Sequence, residues 1–289
     1  TDAGEEFCLS NPILSDASAG QYDDVDLGDC FNGFGCMDMA ACNYNMDATL
    51  DDGSCAFDGS DCYLSIFYVD INTGDDSNTG VIPNQAFASI SRALEEALDG
   101  DLILVTPGED GLAYYENIEI RGAVKLYSTE YFDNYPENID NLTHAAIIDG
   151  SNAGSVVQFY PQDSAVRYNA ELKGFTIRGG SGTIASGNHG LEEGNRYGGG
   201  IYMQDNLASV RFNKFENNGS GAESCHEGGA IFMLVTEGSG LTSSNIILGD
   251  NDFSGNYASL GKILSSRGFE GNIDMTWGYY DVFHQTSRT

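Results

Sequence analysis

The chain has 289 residues, and its 44 acidic side chains against 12 Lys and Arg give a formal net charge of −32. Such a charge excludes nucleic acid and anionic membrane surfaces as expected partners. The length suits one sizeable domain and a small one. No apolar run is long enough to span a bilayer, so we expect no membrane span. The sequence opens without Met or a leader pattern, so we expect a mature, processed product.

The length and cysteine content of residues 1–64 predict a small module held together by disulfides. So short a segment buries little apolar core, and six of the seven cysteines fall here, as is typical of an oxidising, extracellular compartment. The sequence does not choose among the possible pairings. Zinc is the alternative, but no two of these cysteines have Cys-x-x-Cys spacing. The six are Cys8, Cys30, Cys36, Cys42, Cys55 and Cys62, and Cys225 is left over as a buried thiol.

Clusters of Asp and Asn around Gly turns predict calcium sites, because hard cations prefer roughly six to eight oxygen ligands. Residues 1–91 hold 17 carboxylates and no Lys or Arg. The cluster that starts at Asp70 does not fit an EF-hand, since Val81 stands where that motif needs Glu. The alternative is that these carboxylates only occupy solvated turns. The candidate ligands are Asp24, Asp26, Asp29, Asp70, Asn72, Asp75 and Asp76.

From residue 65 onwards, short strands are expected. The first strand is expected at residues 67–70. Residues 89–98 have the spacing of a helix, with Ser89 as its N-cap and Gly100 as the residue that ends it. We expect this helix to close the open end of a stack of strands. Further strands are expected at 102–106, 118–120, 124–127, 147–148 and 156–159. Residues 127–143 and 179–196 are expected insertions, where function tends to sit.

A repeat occupies residues 197–256. Two Gly-led motifs alternate with two Phe-x-x-Asn motifs, and a weaker Gly-led copy follows, so that Gly-x-Ile recurs after 30 and 32 residues. The period predicts a solenoid, and the apolar alternation between Gly and Asn corners favours a parallel β-helix. Its apolar pairs include Ile201/Met203, Phe212/Phe215 and Ile231/Met233. The motifs are Gly198-Gly199-Gly200-Ile201, Phe215-Glu216-Asn217-Asn218, Gly228-Gly229-Ala230-Ile231, Phe253-Ser254-Gly255-Asn256 and Gly261-Lys262-Ile263.

These motifs resemble the pectin-lyase-like superfamily, and their alternation is similar to chlamydial polymorphic outer-membrane proteins and other adhesins. Residues 68–108, 146–150 and 174–180 carry further phrases like those of the superfamily. The resemblance implies an all-β fold: a right-handed parallel β-helix solenoid over 65–289, with an N-terminal capping helix and the disulfide-rich module before it. It implies little about function, since the superfamily hosts lyases, hydrolases, adhesins and fibre proteins.

A second resemblance lies in the N-terminal module. Residues 35–55, from Gly35-Cys36 to Ser54-Cys55, are similar to a Cys- and Asp-rich module of marine Bacteroidetes surface proteins. This implies secretion to the cell surface, by the type IX route. Asp163-Ser164-Ala165 also resembles a Bacteroidetes O-glycosylation motif, with Ser164 as the acceptor.

Enzyme patterns are only partly present. A lyase needs a basic residue near calcium-binding carboxylates, and Arg167, Lys173, Arg178 and Arg211 are candidates without such a partner in the sequence. A hydrolase needs paired carboxylates on adjacent coils. His189 is instead expected in a surface loop, Lys214 on an outer face and Asp149 in a turn. Cys225-His226-Glu227 is open as a metal site, although a haem motif fails at Ala222. We assign no catalytic residue.

The sequence thus favours a secreted, non-catalytic structural or adhesive surface protein, with self-assembly into a calcium-stabilised filament as the specific hypothesis. An open head-to-tail contact would produce such a filament. The acidic residues 1–91 and the aromatic segment of Trp277, Tyr279, Tyr280 and Phe283 are the expected contact surfaces, the latter also serving as an end cap if not a contact. The alternatives are a monomeric adhesin that binds extracellular glycans and a polysaccharide lyase or glycoside hydrolase.

Overall fold

The computed structural model describes residues 34–36, 50–51, 55, 65–135, 139–160, 170–206, 208–220, 224–236, 239, 246–268 and 273–274. The chain divides into two compact units, Thr1–Tyr63 and Leu64–Thr289. In the first unit, strand β1 (Phe34–Gly35) pairs in parallel with β2 (Leu50–Asp51), and a disulfide joins Cys36 to Cys55. The other cysteines expected in disulfides, Cys8, Cys30, Cys42 and Cys62, lie outside the described residues.

The second unit consists mostly of short strands, so the expectation of an all-β fold is confirmed. Its described part contains two α-helices, α1 (Ile90–Glu96) and α2 (Thr129–Asn134). The strands are β3 (Ile66–Asp70), β4 (Leu102–Thr106), β5 (Ile118–Arg121), β6 (Lys125–Ser128), β7 (Ala146–Asp149), β8 (Val157–Tyr160), β9 (Glu171–Lys173), β10 (Phe175–Arg178), β11 (Thr183–Ile184), β12 (Arg196–Tyr197), β13 (Ile201–Gln204), β14 (Ser209–Arg211), β15 (Lys214–Glu216), β16 (Ile231–Leu234), β17 (Ile246–Ile247), β18 (Asp252–Ser254), β19 (Leu264–Arg267) and β20 (Ile273–Asp274).

Most of these strands belong to three parallel sheets. The first sheet has the order β14-β9-β6-β4-β3, the second β18-β15-β10-β7 and the third β19-β16-β13-β8-β5. From β9 to β16 the chain visits the first, second and third sheets in turn, and we call each such passage a round; the next round consists of β17, β18 and β19. β17 and β20 form a further parallel pair. This arrangement is compatible with the solenoid expected from the sequence.

The apolar side chains of successive rounds stack in the interior. In the first sheet Ile103, Leu126, Leu172 and Val210 are aligned by the strand register, and all four are fully buried. Residues on either side of them point to the outer face, because successive side chains of a strand alternate. The interior is therefore a single apolar core that runs through every round.

Asparagine ladders fill two corners of the later rounds. The Asn213 side chain donates to Asn251 Oδ1 at 3.2 Å, and the Asn218 side chain donates to Asn256 Oδ1 at 3.0 Å. The ladder amides also form hydrogen bonds with the backbone; for example, Gly180 N donates to Asn218 Oδ1. Buried amides of this kind satisfy corner peptide groups that no strand can pair.

The expected helix is confirmed, although it ends two residues early. The Ser89 hydroxyl caps α1 by accepting from Arg92 N, and Gly100 has a positive φ of 89° shortly after it. Ile90 and Ala93 join the core, and α1 contacts β3 and β5, the end strands of the first and third sheets. This is the position expected of a helix that closes the stack.

The weaker Gly-led copy was aligned wrongly by one residue. Ile231 pairs with Leu264 rather than Ile263, so the structural repeat is Gly-x-x-Ile/Leu, led by Gly198, Gly228 and Gly261. These glycines have φ of 66°, 66° and 59°, and a Cβ on each would lie 2.2–2.4 Å from the carbonyl oxygen three residues later. Only glycine fits at these three corners.

Phe212 is a second correction. The sequence pairs it with Phe215 as an alternating apolar position of one strand, but it occupies a corner with φ of 56°, and its ring stacks on Tyr131 outside the sheet at 5.5 Å. Phe215 does lie in the core, where it stacks on Phe253 of the next round at 5.1 Å. The corner between β14 and β15 has two residues, Phe212 and Asn213, and the first of them turns its side chain outward.

Two segments leave the rounds where insertions were expected. Residues 129–135 and 139–145, which we call the strap, include α2 and contact β4 and β6 of the first sheet. β11 and β12 form an antiparallel hairpin beside the third sheet. An apolar cluster that includes Leu191, Tyr202 and Phe232 lies between this hairpin and the sheet. No helix among the described residues is long and apolar enough to cross a membrane.

Candidate functional sites

A charged cluster lies on the outer face of the first sheet. The register pairs Lys125 of β6 with Glu171 of β9, and Tyr127 with Lys173. These four side chains point outward because Leu126 and Leu172, between them, point into the core. Two cations, one carboxylate and one phenol are thus collected on neighbouring strands, under the strap.

Glu171 is the centre of this cluster. The Tyr127 hydroxyl donates to Glu171 Oε2 at 2.7 Å, Lys173 forms an ion pair with the same carboxylate, and Lys173 Nζ lies 4.9 Å from the Tyr127 ring centre. Burial tends to raise the pKa of Glu171, but Lys173 and Lys125 outweigh it, so this pKa is lowered and the carboxylate stays ionised. Burial lowers the pKa of Lys125, which is almost fully enclosed.

Three of the four basic residues considered for a lyase are bound to a carboxylate. Lys173 is paired with Glu171 and Arg211 with Asp250, while Arg178 Nε donates to Asp149 Oδ2 at 2.8 Å. Each of these three cations is thus held in place by an ion pair on an outer face. The chemistry available at these positions is therefore electrostatic and structural. Arg167 lies outside the described residues.

The positions expected for His189, Lys214 and Asp149 agree with the structure. His189 is exposed in the loop of the β11–β12 hairpin, and Lys214 pairs with Glu216 at 2.7 Å on an outer face. Asp149 accepts a hydrogen bond from Ser151 N at 3.0 Å, as a turn residue does. The structure does not bring His189, Lys214 and Asp149 into one described cluster.

A second buried ion pair lies on the outer face of the third sheet. Arg267 of β19 pairs with Glu227, whose carboxylate also accepts from the Ser265 hydroxyl at 2.9 Å. Arg267 Nη1 reaches the Gly190 carbonyl of the hairpin loop at 2.7 Å. Burial tends to raise the pKa of Glu227, but hydrogen bonds from Arg267 and Ser265 outweigh it, so this pKa is lowered. The pair fastens the hairpin to the last described round.

The Cys225-His226-Glu227 sequence is divided among three environments. Cys225 is fully buried, and burial raises the pKa of its thiol to about 12. Glu227 forms an ion pair with Arg267, and His226 Nε2 lies 3.9 Å from Glu227 Oε1. The role of Glu227 was missed, because its partner stands 40 residues later and no motif links the two.

The predicted calcium loop is held by its own hydrogen bonds. Asp70 accepts from Asn72 N at 2.9 Å, Asp75 from Ser77 N at 2.8 Å and Asp76 from Ser89 N at 2.9 Å. Asn72 Oδ1 accepts from Glu109 N at 2.8 Å. Within the described ranges, no three His, Cys, Asp or Glu side chains gather as a metal site. The loop geometry by itself requires no cation, and calcium stays a prediction.

Other predicted site residues lie outside the described residues. They are the candidate calcium ligands Asp24, Asp26 and Asp29, the candidate glycosylation acceptor Ser164, and the candidate contact residues Trp277, Tyr279, Tyr280 and Phe283.

Comparison with protein-family models, with curated proteins and with solved structures found no match for this chain. The functional interpretation therefore rests on the geometry above.

Proposed function

We propose that the chain is a secreted, non-catalytic structural or adhesive surface protein whose second unit is a right-handed parallel β-helix with α1 as its N-terminal cap. We propose further that copies associate head to tail into an extracellular filament. The observation that carries this proposal is the in-register pairing of successive rounds in three parallel sheets. A stack of this kind grows along one direction and has two unlike ends, so contact between unlike ends forms an open chain of subunits.

Calcium belongs to the same proposal because of the charge. Subunits with a net charge of −32 repel one another, and divalent cations that bind between carboxylates offset this repulsion. The N-terminal module, with Asp24, Asp26 and Asp29, is the proposed place of such binding.

Two other functions remain in competition. A glycan-binding adhesin would use the same body as a monomer, and a polysaccharide lyase or hydrolase would use a base and carboxylates on the outer faces. The ion pairs of Lys173, Arg178 and Arg211 support the non-catalytic function over the lyase, since each cation is neutralised in place.

Negative-stain electron microscopy of the purified protein tests the proposal. We expect ordered fibres in millimolar calcium that dissolve when the metal is chelated. Fibres that survive chelation would remove calcium from the proposal but keep self-assembly. Single particles under both conditions would contradict the filament, and glycan-binding and polysaccharide-cleavage assays would then separate the two competing functions.

A further inference from the structure

We propose that the strap is a pH-sensitive cover on the outer face of the first sheet, and that it is released when His144 takes up a proton. Residues 129–145 connect β6 of the first sheet with β7 of the second, whereas only Phe212 and Asn213 connect β14 with β15 in a later round. The added length of the earlier connection is therefore not needed to turn the corner. The proposal goes beyond the filament and does not depend on it.

Aromatic contacts hold the first part of the strap on the sheet. The Tyr131 ring of α2 lies 5.4 Å from the Tyr127 ring of β6 and 5.5 Å from the Phe212 ring, and Tyr131 is almost fully buried. Lys173 Nζ of β9 lies 5.8 Å from the same Tyr131 ring. The strap thus lies over the charged cluster that is centred on Glu171.

A carboxylate closes the strap on itself. Glu130 Oε1 accepts hydrogen bonds from Thr143 N at 2.5 Å and from the Thr143 hydroxyl at 2.8 Å, and Glu130 Oε2 accepts one from Ala145 N at 3.1 Å. These partners stand on either side of His144. The His144 carbonyl accepts from the Thr176 hydroxyl of β10 at 2.7 Å. His144 is therefore the point at which the strap is tied both to itself and to the second sheet.

The backbone of His144 is held in an uncommon conformation. Its φ of 55° lies in the left-handed region, which a residue other than glycine keeps only where neighbouring contacts fix it. The bonds on both sides of His144 supply these contacts. A change that weakens them allows the backbone to return to a more ordinary conformation, which moves the strap.

The imidazole of His144 is half-buried among charged groups on three elements. Burial has the largest influence on its pKa and lowers it, and the charge of Lys214 on β15 acts in the same direction. The carboxylates of Asp252 on β18 and Glu130 on α2 raise this pKa, as does a hydrogen bond with the Phe212 backbone. Burial prevails, so the pKa of His144 is lowered.

The direction of this shift sets the response of the strap. A released strap has a solvated imidazole, which takes up a proton near the ordinary His pKa, whereas the closed strap takes it up only at lower pH. His144 therefore stabilises the closed strap above the ordinary His pKa, and this stabilisation is lost as the pH falls below it. Burial tends to raise the pKa of Glu130, but hydrogen bonds from Thr143 and Ala145 outweigh it, so this pKa is lowered. Glu130 stays ionised where His144 titrates, and His144 is the sensor.

Hydrogen exchange of the full chain at about pH 7.5 and about pH 5 provides the test. Protection factors, which compare each amide with an unstructured peptide at the same pH, are measured for amides that bond within the strap, those of Tyr131, Tyr135, Thr143 and Ala145. They should fall several-fold at the lower pH, with an upper limit of about 30-fold if the closed strap binds no proton. The amides of β4, a buried strand, are the internal reference and should keep their protection.

Two matched variants assign the effect to one imidazole. His144→Asn removes the titrating group, and Asn tolerates the positive φ at this position. His189→Asn is the control, because His189 has a φ of 54° but is exposed in the hairpin loop. We expect equal strap protection at both pH values in His144→Asn and wild-type behaviour in His189→Asn. A wild-type strap that is equally protected at both pH values, an undiminished pH effect in His144→Asn, or an equal loss of protection in β4 would overturn the proposal.

An NMR titration of the wild-type protein is a second test that requires no variant. The pKa of the His144 imidazole should lie below the ordinary His value, and the strap amides should lose protection over the pH range in which it titrates. A pKa at or above the ordinary value would overturn the proposal, because protonation would then fasten the strap. If the strap of His144→Asn is unprotected at every pH, this titration decides the question.

Discussion

The later rounds of the second unit, from β10 to β19, repeat in sequence and in structure, whereas the earlier part, from β3 to β9, repeats in structure alone. In the second sheet, Ile177, Phe215 and Phe253 are aligned at regular intervals of 38 residues. In the first sheet, Ile103, Leu126 and Leu172 are aligned just as well, but 23 and then 46 residues separate them. The strands therefore align equally well whether or not the sequence repeats at a regular interval.

The difference arises at the corners. Parallel pairing uses backbone groups, so strands need only apolar side chains facing inward. A corner needs a residue that tolerates positive φ or an amide that satisfies buried peptide groups, and the later rounds supply both at fixed positions, as in Gly198/Gly228 and Asn213/Asn251. In the earlier part the strap stands in place of one corner and conceals the period. A sequence repeat therefore reports corner chemistry rather than strand pairing.

Core substitutions test whether the two parts form one structure, and they are expected to have the largest effect on the free energy of unfolding. Phe159 in β8 and Phe215 in β15 are both fully buried in the same core. Truncation of either to Ala is expected to cost about 4 kcal/mol, because each leaves a cavity of similar size. Urea unfolding with a common probe measures both variants. A much smaller cost for Phe159→Ala would mean that the earlier part unfolds by itself, against the single core described here.

Asn218 belongs to an asparagine ladder of the later rounds, and removal of its side-chain amide is expected to destabilise the protein somewhat less than a core truncation. Asn218→Ala leaves Gly180 N and the Ile177 carbonyl without their partner, and should destabilise the protein by about 2–3 kcal/mol. Asn217→Gly is the matched control, since Asn217 is exposed with φ of 55° and Gly255 occupies the same position in the next round. We expect the control to stay within about 0.5 kcal/mol of the wild type. Equal losses in the two variants would show that the ladder adds nothing specific.

Much of this architecture could be predicted from the sequence. The helix at Ser89, the strand at 102–106 and the Phe-x-x-Asn corners follow from capping residues, apolar alternation and turn chemistry, all of which act over a few residues. Asn213 and Asn251 were missed because a single Asn before a strand has no distinctive pattern. The one-residue error at Gly261 has the same origin, since Gly-x-Ile and Gly-x-x-Leu fit that copy equally well until Leu264 is seen to pair with Ile231.

The candidate sites were less predictable, and the physical reason is sequence distance. Glu171 meets Lys125 only because two strands pair, and Glu227 meets Arg267 only because one round lies on another. Each partner alone is an ordinary charged residue in the sequence. Ion pairs that depend on register cannot be recognised before the register is known.

Glu171 lies in the earlier part and Glu227 in the later rounds. Substitution of either is expected to have the smallest effect on stability, and its pH dependence compares the electrostatics of the two parts. The folded-state pKa is lowered for both Glu171 and Glu227, so each stabilises the folded state above the ordinary Glu pKa, and that stability is lost as the pH falls below it. Glu171→Gln and Glu227→Gln should each cost about 2 kcal/mol near pH 7, because a charged hydrogen-bond acceptor is lost.

The difference from wild type should narrow as the pH falls below the ordinary Glu pKa, because protonation of the wild-type carboxylates removes the charge that the Gln variants lack. Thermal unfolding across this range measures the effect. A loss that is the same at pH 7 and pH 3 would mean that Gln disturbs packing rather than charge. If only Glu227→Gln shows the pH dependence, Lys173 is held by the rings of Tyr127 and Tyr131 rather than by Glu171. The two parts then differ in electrostatics as well as at their corners.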